Sequence, residues 1–552
     1  GWEFPKIEAG IADLGHTRVT VQAEGQGPLA AALGIVRDSP VALLTEHALD
    51  DATGSGAASL KLSLDLPVDD IHHAKVKGSV QLAGNDIQLS PGSPRLAAAQ
   101  GGVEFSDTGF AIRDARTRVL GGEARVSGGS VSAERRAAGA APVEVRVSGN
   151  ASAEGLRGMA EWGPVAALAR QASGSANYEA VLGFRGAQPE IQVSSDLRGL
   201  GFDLPEPLAK PQAAAWPLRV ELRQINARDR VRASVPDVLS AEFELDASRP
   251  EGTRVLRGAV GVGAQGTRGL ALPPSGVLAR ADLPRIDVDA WEAAVTRVAG
   301  KGAGDDDALR AYLPDRLSLH TGELVMDGRT LHQVSATGTR EGTSWRADVS
   351  ARELAGRVTY REGTAGAAGA VVARLTRLVI PDSQNDEAAA LLAEPPSRIP
   401  ALDVVADSFE LRGKPLGRLE VQAVNLDAAA RPATGNRGAG AEWRLNTLRL
   451  SAPDATFSAH GRWAAPEAAG AARRTTLDFE LDIHDAGKLL ERFGMEGVLR
   501  RGKGQFGGRI GWTGAPTTPH YPSMDGQLHL DVGAGQFLKA DPGVAKLLGV
   551  LS

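Results

Sequence analysis

Ten histidines, no cysteine and a net charge of −6 frame the chemistry open to this 552-residue chain. His72-His73 is the closest histidine pair. Neighbours on a strand point to opposite faces, so the two cannot share one ion without a bend. No His-Glu-x-x-His pattern is present to seat zinc on a helix. The lack of cysteine excludes disulfide scaffolds, zinc ribbons and thiol catalysis together, and it leaves the compartment open. Gly261–Gly269 is glycine-rich but lacks the Lys-Ser/Thr of a phosphate loop, and no Gly-x-Ser-x-Gly elbow joins a strand to a helix. Carboxylates are plentiful, yet their spacing singles out no glycosidase pair. The acidic run Asp305–Asp307 lies among glycines and reads as a solvated linker. The expectation is no catalytic residue, no metal and no cofactor, and an acidic chain has nothing to draw nucleic acid.

What the sequence does supply is a long series of half-apolar strands. Leu60, Leu62, Leu64 and Leu66 alternate with Lys61, Ser63 and Asp65. Val143, Val145 and Val147 alternate with Glu144, Arg146 and Ser148, and Leu477, Phe479, Leu481 and Ile483 with Asp478, Glu480 and Asp482. Such period-two runs read as antiparallel strands with one apolar and one wet face. Turns are expected at Gly121-Gly122 and Gly128-Gly129.

Helices are expected over Gly155–Arg170, Asp289–Val298 and Asp485–Phe493, with a fourth near Glu387–Ala393. Asp289 and Asp485 fit as N-caps, and Gly300 and Gly494 as C-terminal glycines. So few helices cannot cover so many apolar faces. A chain this long exceeds one compact core. Aromatic residues are only 4 %, against 67 glycines and 31 prolines, which favours many short elements and turns.

Two internal echoes mark repetition. A shift of 85 superposes Leu317 on Leu402, Leu319 on Val404, Leu324 on Phe409, Met326 on Leu411, Gly328 on Gly413, Leu331 on Leu416 and Val334 on Leu419. A shift of 328 superposes Gly174 on Gly502, Asn177 on Gln505, Tyr178 on Phe506, Gly183 on Gly511, Phe184 on Trp512 and Gly186 on Gly514. The first reads as strand, turn, strand, turn, strand used twice and the second as strand–helix–strand, in a body whose units touch mainly their neighbours. The approximate blocks are 1–150, 151–300, 301–475 and 476–552, within one elongated fragment. No apolar run approaches the ~18 residues of a membrane helix. The chain opens without a signal peptide or Met and stops inside the apolar Leu547–Leu551, which reads as an internal fragment.

The run Leu197-Arg198-Gly199-Leu200-Gly201-Phe202-Asp203-Leu204-Pro205-Glu206-Pro207-Leu208-Ala209-Lys210 resembles a recurring segment of the large AsmA-like proteins of Gram-negative bacteria, YhdP type. Gly25-Gln26-Gly27-Pro28-Leu29, Trp345-Arg346-Ala347-Asp348-Val349 and the closing Gly535–Gly543 resemble that family as well, in the same order. The resemblance implies a mainly β fold: a long antiparallel sheet curled into a trough, with few short helices. It further implies phospholipid as the partner, carried across the periplasm between inner and outer membranes. An inner-membrane helix absent from this chain would supply the anchor. The family brings no catalytic residues.

An apolar sheet face is covered either by a second sheet or by a ligand. Thirty lipid methylenes exposed to water would cost roughly 24 kcal/mol at about 0.8 each, so carriage needs continuous apolar contact. Twenty-five or more strands in one sheet would extend on the order of 120 Å. The residues expected to line such a groove are Leu60, Leu62, Leu64, Leu66, Val143, Val145, Val147, Leu317, Leu319, Leu477, Phe479, Leu481 and Ile483. Packing beneath a loop or helix is the alternative for each. For the whole, the alternatives are an assembly factor that binds envelope proteins and a β-solenoid acting on polysaccharide. A solenoid calls for a repeat of roughly 20–30 residues.

Overall fold

The computed structural model describes residues 1–11, 18–39, 41–67, 74–185, 188–226, 228–246, 254–299, 310–326, 328–363, 369–381, 399–426, 442–464, 473–516, 519–533 and 536–537. His72-His73, Asp305–Asp307, Gly300, the helix expected near Glu387–Ala393 and most of the closing signature lie outside these residues. Strand occupies 63 % of the structure and helix 12 %, so helices cannot roof the sheet faces. The chain forms two units. The first holds Gly1–Asp282 and Ala290–Pro314, the second Leu283–Asp289 and Asp315–Ser552.

In the first unit each strand pairs with its successor. The ladder opens with β1 (Glu3–Ile11) and β2 (Arg18–Pro28), β3 (Thr53–Ser55) being a short side strand on β5. It continues through β4 (Ala57–Pro67), β5 (Lys75–Gln88), β6 (Leu96–Ser106), β7 (Gly109–Val119), β8 (Gly122–Ser130) and β9 (Val143–Ser152). Next come β10 (Ala172–Arg185), β11 (Gln188–Ser195), β13 (Leu218–Ile225), β14 (Arg228–Val235), β15 (Leu239–Asp246) and β16 (Arg254–Val262), with β12 (Leu200–Phe202) a short partner of β10. All these pairings are antiparallel. β17 (Gly276–Asp287) then lies parallel to β16.

The second unit runs β18 (Arg316–Met326), β19 (Arg329–Glu341), β20 (Ser344–Ser350), β21 (Leu354–Arg361) and β22 (Ala370–Ile380) antiparallel, then β23 (Ala401–Leu411) parallel to β22. It closes antiparallel with β24 (Lys414–Leu426), β25 (Glu442–Ser451), β26 (Ala455–Ala464), β27 (Arg474–Ile483), β29 (Gly504–Thr513) and β30 (Asp525–Val532). β28 (Leu499–Arg500) and β31 (Gln536–Phe537) form a separate two-stranded pair. The mainly β, open-sheet expectation holds, but the sheet is mixed rather than wholly antiparallel. Each parallel step follows a long connection, which allows the chain to return and start again in the same direction.

Hairpin chemistry sets the registers. Leu120-Gly121 and Arg412-Gly413 both have positive φ at their two central positions, at 53°, 80° and 51°, 69°. That is the tight turn whose twist matches paired strands. Gly128-Gly129 is not a turn. It sits inside β8 beside a bulge in the β7–β8 ladder, where a Cβ on Gly129 would fall 2.0 Å from the Phe110 carbonyl oxygen. The 85-residue echo is a register repeat: β18 and β19 map onto β23 and β24 end for end, Leu319↔Ala336 becoming Val404↔Val421. The 328-residue echo also appears, since β10 and β29 end at equivalent positions and each follows a strand and a capped helix.

The helix expected over Gly155–Arg170 is broken. It comprises α4 (Ala153–Arg157), a 3₁₀ turn at Ala160–Trp162 and α5 (Pro164–Ala169), divided at Gly163, whose φ is +37°. α6 (Val288–Ala299) starts one residue before Asp289, so Asp289 lies in the first turn, where it favours the helix dipole, rather than at the cap. In α7 (Ala486–Arg492) Asp485 does cap, accepting from the Lys488 N–H at 3.2 Å, and Gly494 follows with φ +86°. Three helices were not foreseen: α1 (Leu29–Arg37), α2 (Val41–Leu44) and α3 (Ala133–Ala137).

Candidate functional site

Residues opposed across an antiparallel ladder share a face, so the registers show what each face carries. In the first unit Leu60 opposes Val80, and the row continues Val103, Ile112, Gly128, Val145, Leu182, Ile191, Leu222, Val231, Phe243, Gly258 and Val277. No polar side chain interrupts it from β4 to β17. Leu62 lies beside it with Ala23 and Gly78, Leu64 with Val21 and Val76, and Leu66 with Val19. Val147 heads a parallel row through Val126, Ala180, Val193, Val220 and Ala233.

The second unit repeats the arrangement. Leu319 leads through Ala336, Val349, Gly356, Leu375, Ala406, Leu419, Leu450 and Phe457 to Leu481, Phe506 and Leu530. Leu317 leads through Gly338, Ala347, Val358, Ala373, Val404, Val421, Leu448 and Ala459 to Phe479, Gly508 and Leu528. Leu477 opposes Gly461 and Ile510, and Ile483 opposes Ala455 and Gly504. Residues chosen from separate segments thus fall on shared rows: Leu60 with Val145, Leu319 with Leu481, and Leu317 with Phe479.

Burial separates these positions. Leu60, Leu62, Leu64, Leu66, Val145, Val147, Leu317, Leu319, Leu477, Phe479, Leu481 and Ile483 are all half-buried. Val143 differs: at 2 % exposure it is packed core and offers no surface to a ligand. Toward one end of the first unit's strands the apolar face shrinks to small residues and is roofed. α1 lays Leu29 over Ala58, Leu82 and Ala99. Leu197 and Leu200 pack on Ala153, Ala172 and Ala176, with Phe202, Trp216 and Leu218 around them.

The Leu197–Lys210 segment is part of that roof. Lys210 is 2 % exposed and donates from Nζ to the carbonyls of Leu197 and Leu200, both at 2.7 Å. Burial pushes its pKa down, and Asp196 opposes that only in part. An ammonium thus takes the place of a hydrogen-bonding strand and ties the loop into a lid. The sequence offered the motif but not this reason for it.

Aromatic rings smooth the open part of the face. A Cβ on Gly78 would meet Phe105 at 2.4 Å, on Gly25 Phe4 at 2.5 Å, and on Gly258 Phe243 at 2.4 Å. Each ring therefore lies across the glycine of the neighbouring strand, filling what would otherwise be a notch.

The opposite faces are charged. Arg232 binds Glu242 at 2.8 Å, Arg228 binds Glu244 at 2.7 Å, Arg146 binds Glu144 at 2.8 Å and Arg509 binds Asp478 at 2.6 Å. A cavity of about 890 Å³ is lined both by polar residues, among them Lys61, Ser63, Lys77 and Ser79, and by Ala23, Leu62, Gly78 and Phe105 of the alternating apolar positions. Among the described residues no group of three or more His, Asp or Glu could hold a metal ion, and no helix is long and apolar enough to cross a membrane.

Several carboxylates are held ionised by their neighbours. Burial works to raise the Glu242 pKa, but hydrogen bonds from Arg232 and Arg230 outweigh it and the pKa is lowered. At Glu353 burial is likewise outweighed, here by the backbone N–H of His332 at 2.8 Å and its ring Nδ1 at 2.6 Å. A carboxylate with a lowered folded pKa stabilises fully above its unfolded value of about 4.3, and that contribution is lost as pH falls through the folded value. The melting temperature should therefore hold from neutral pH to about 5 and drop below about 4. Glu242→Gln with Glu353→Gln should flatten the acid limb in a thermal-melt series; an unchanged slope would contradict this assignment.

The whole chain, residues 1–552, matches the family described as YhdP protein. No curated protein matches it. No solved structure matches it.

Proposed function

The chain belongs to the YhdP family, and from that premise we propose that its apolar rows are a path for phospholipid acyl chains. The tails lie along the stretches where the rows are half-buried, as at Leu60, Val145 and Leu481, whereas Val277, Leu375, Ala406 and Leu419 are packed core, and the head groups stay in water. The observation that carries this reading is the continuity of the rows within each unit, because a packed core needs contact but not an uninterrupted line. Half-buried leucine, valine and phenylalanine side chains keep apolar surface available, at about 25 cal/mol per Å² covered. The family match is consistent with a setting in the envelope of a Gram-negative bacterium, where the proposed path would carry lipid from the inner membrane toward the outer. Carriage along such a groove needs no catalytic residue and no cofactor.

The test is direct. Protein purified without added lipid should release stoichiometric phospholipid on organic extraction and show it in native mass spectrometry. Lipid-free protein with folded, unoccupied rows would refute the reading. A second reading draws on the outermost strands, where Ile7 and Ile11 of β1 and Leu528, Leu530 and Val532 of β30 are exposed. An assembly factor would use such edges to bind envelope proteins. It predicts protein cross-links at β1 or β30 and no stoichiometric lipid.

A further inference from the structure

Two roofs cover the same end of the first unit's apolar face. α1 sets Leu29 over Ala58, Leu82 and Ala99, and the Leu197–Lys210 segment sets Leu197 and Leu200 over Ala153, Ala172 and Ala176. Both lie on one side of the row that joins Leu60, Val145 and Leu182. Beneath them the face is chiefly alanine, whereas Leu60, Leu62, Leu64 and Leu66, beyond Ala58, stand half-buried. Alanine leaves room that the roof's leucines fill. Leu29, Leu197 and Leu200 thus occupy the layer above the sheet that a ligand's hydrocarbon would occupy farther along the strands. Both roofs are fastened. The Leu29 N–H donates to the Gly56 carbonyl at 2.9 Å, and a Cβ on Gly54 would meet Leu29 at 2.8 Å. Lys210 holds the second roof from within, through the Leu197 and Leu200 carbonyls.

At the other end the face meets water. Phe105 and Phe110 oppose each other, half-buried, beside the exposed turn at Asp107 and Thr108. A phospholipid head group stays in water, so it belongs at that margin, and its tails run inward across the rows toward the roofs. From Leu60 to Leu66 the strand advances six residues, about 20 Å at ~3.3 Å each. One leaflet of a bilayer holds tails about 15 Å deep, half of its ~30 Å core. The open stretch therefore takes one tail with little to spare. We infer that the two roofs are a depth stop, by which the first unit selects phospholipids according to acyl-chain length. The rows give the direction of travel and the strands measure the tail. This rests on the lipid-path reading and deepens it, since it names the feature of the lipid that is read.

The test offers the full chain an equimolar choice of tail lengths on one head group. Protein is equilibrated with fluid vesicles of dimyristoleoyl, dioleoyl and dierucoyl phosphatidylcholine, separated by flotation, and its bound lipid is counted by mass spectrometry. The parent should take up the dioleoyl lipid several-fold over the longer dierucoyl one. Leu29→Ala, which opens space under α1, should reduce that preference at least twofold. Leu60→Trp, which brings the stop outward, should shift the preference to the shorter dimyristoleoyl lipid. Leu43→Ala, on the exposed side of α2, should behave as the parent. Equal uptake of all three lipids by the parent would overturn the stop while leaving the path intact. So would a preference that neither Leu29→Ala nor Leu60→Trp moves. No uptake of any lipid by folded parent would remove the path itself, and the stop with it. Far-ultraviolet circular dichroism checks each variant's fold, and if Leu29→Ala does not fold, Leu60→Trp decides.

Discussion

Leu481→Asp is expected to lower the phospholipid bound by the purified protein at least tenfold while the sheet stays folded. Leu481 lies between Phe457 and Phe506 on the row that begins at Leu319, and it is half-buried. On the proposed path a carboxylate there would face acyl chain on one side, with phenylalanine on both flanks. Setting an unpaired charge against hydrocarbon costs several kcal/mol, and about 1.4 kcal/mol already changes occupancy tenfold. The cost falls on the complex rather than on the fold, because without lipid the side chain can reach water. Phe479→Asp should act alike on the neighbouring row. Glu480→Ala, on the charged face of the same strand, is the matched control and should leave lipid content unchanged. Lipid counted after extraction, beside thermal melts of each variant, decides the point. Equal lipid content in all three would mean that the rows do not hold it.

Arg492→Ala should remove about 3–5 kcal/mol of stability from the second unit, the usual effect of leaving one member of a buried ion pair alone. Asp454 is 2 % exposed and its carboxylate accepts from Nε of Arg492 at 3.0 Å and from Nη2 as well. The same guanidinium donates to the Pro415 carbonyl. The Asp454 carbonyl accepts from the N–H groups of His484 and Asp485 at 2.8 and 3.0 Å. Asp454 thus joins the β25–β26 turn to the start of α7, and Arg492 joins α7 to the first residues of β24. Urea denaturation should show a lower midpoint in Arg492→Ala. The paired replacement Asp454→Leu with Arg492→Met should recover much of the loss, since it removes both charges. A double variant no better than the single would show that the hydrogen bonds, not the lone charge, dominate.

Strands were legible because alternation is a local signal: Leu60 to Leu66 and Leu477 to Ile483 announce their two faces without help from neighbours. The 85-residue repeat was legible for the same reason, and β18–β19 and β23–β24 share ends and register. What joins distant strands is set by hydrogen-bonded register, so no local pattern placed Leu319 in line with Leu481. Val143 looked like Val145 and Val147, but only tertiary packing distinguishes a covered valine from an open one. α1 was missed although Pro28 followed by Leu29-Ala30-Ala31-Ala32-Leu33 is a strong helix-forming start, because no polar stripe marked it as amphipathic. α4 and α5 were merged because Gly163 and Pro164 form a break that a composition window averages away. Lys210 carried no signal, since a lone lysine near prolines is an ordinary surface residue until the chain folds over it.

The shared register of β18–β19 and β23–β24 has a consequence for how such a protein changes size. From the first hairpin to the second the ladder slips by two residues, so that Leu319 is in line with Ala406 while its echo Val404 is in line with Leu317, and the apolar face is kept although the lanes exchange. A duplicated hairpin therefore splices in without turning its apolar side over, because an even slip keeps the face, and it adds about 10 Å across the strands, two spacings of about 4.8 Å each. Reach becomes a quantity that gene duplication can adjust in fixed steps, as one adds links to a chain, with no need to redesign the surface that does the work.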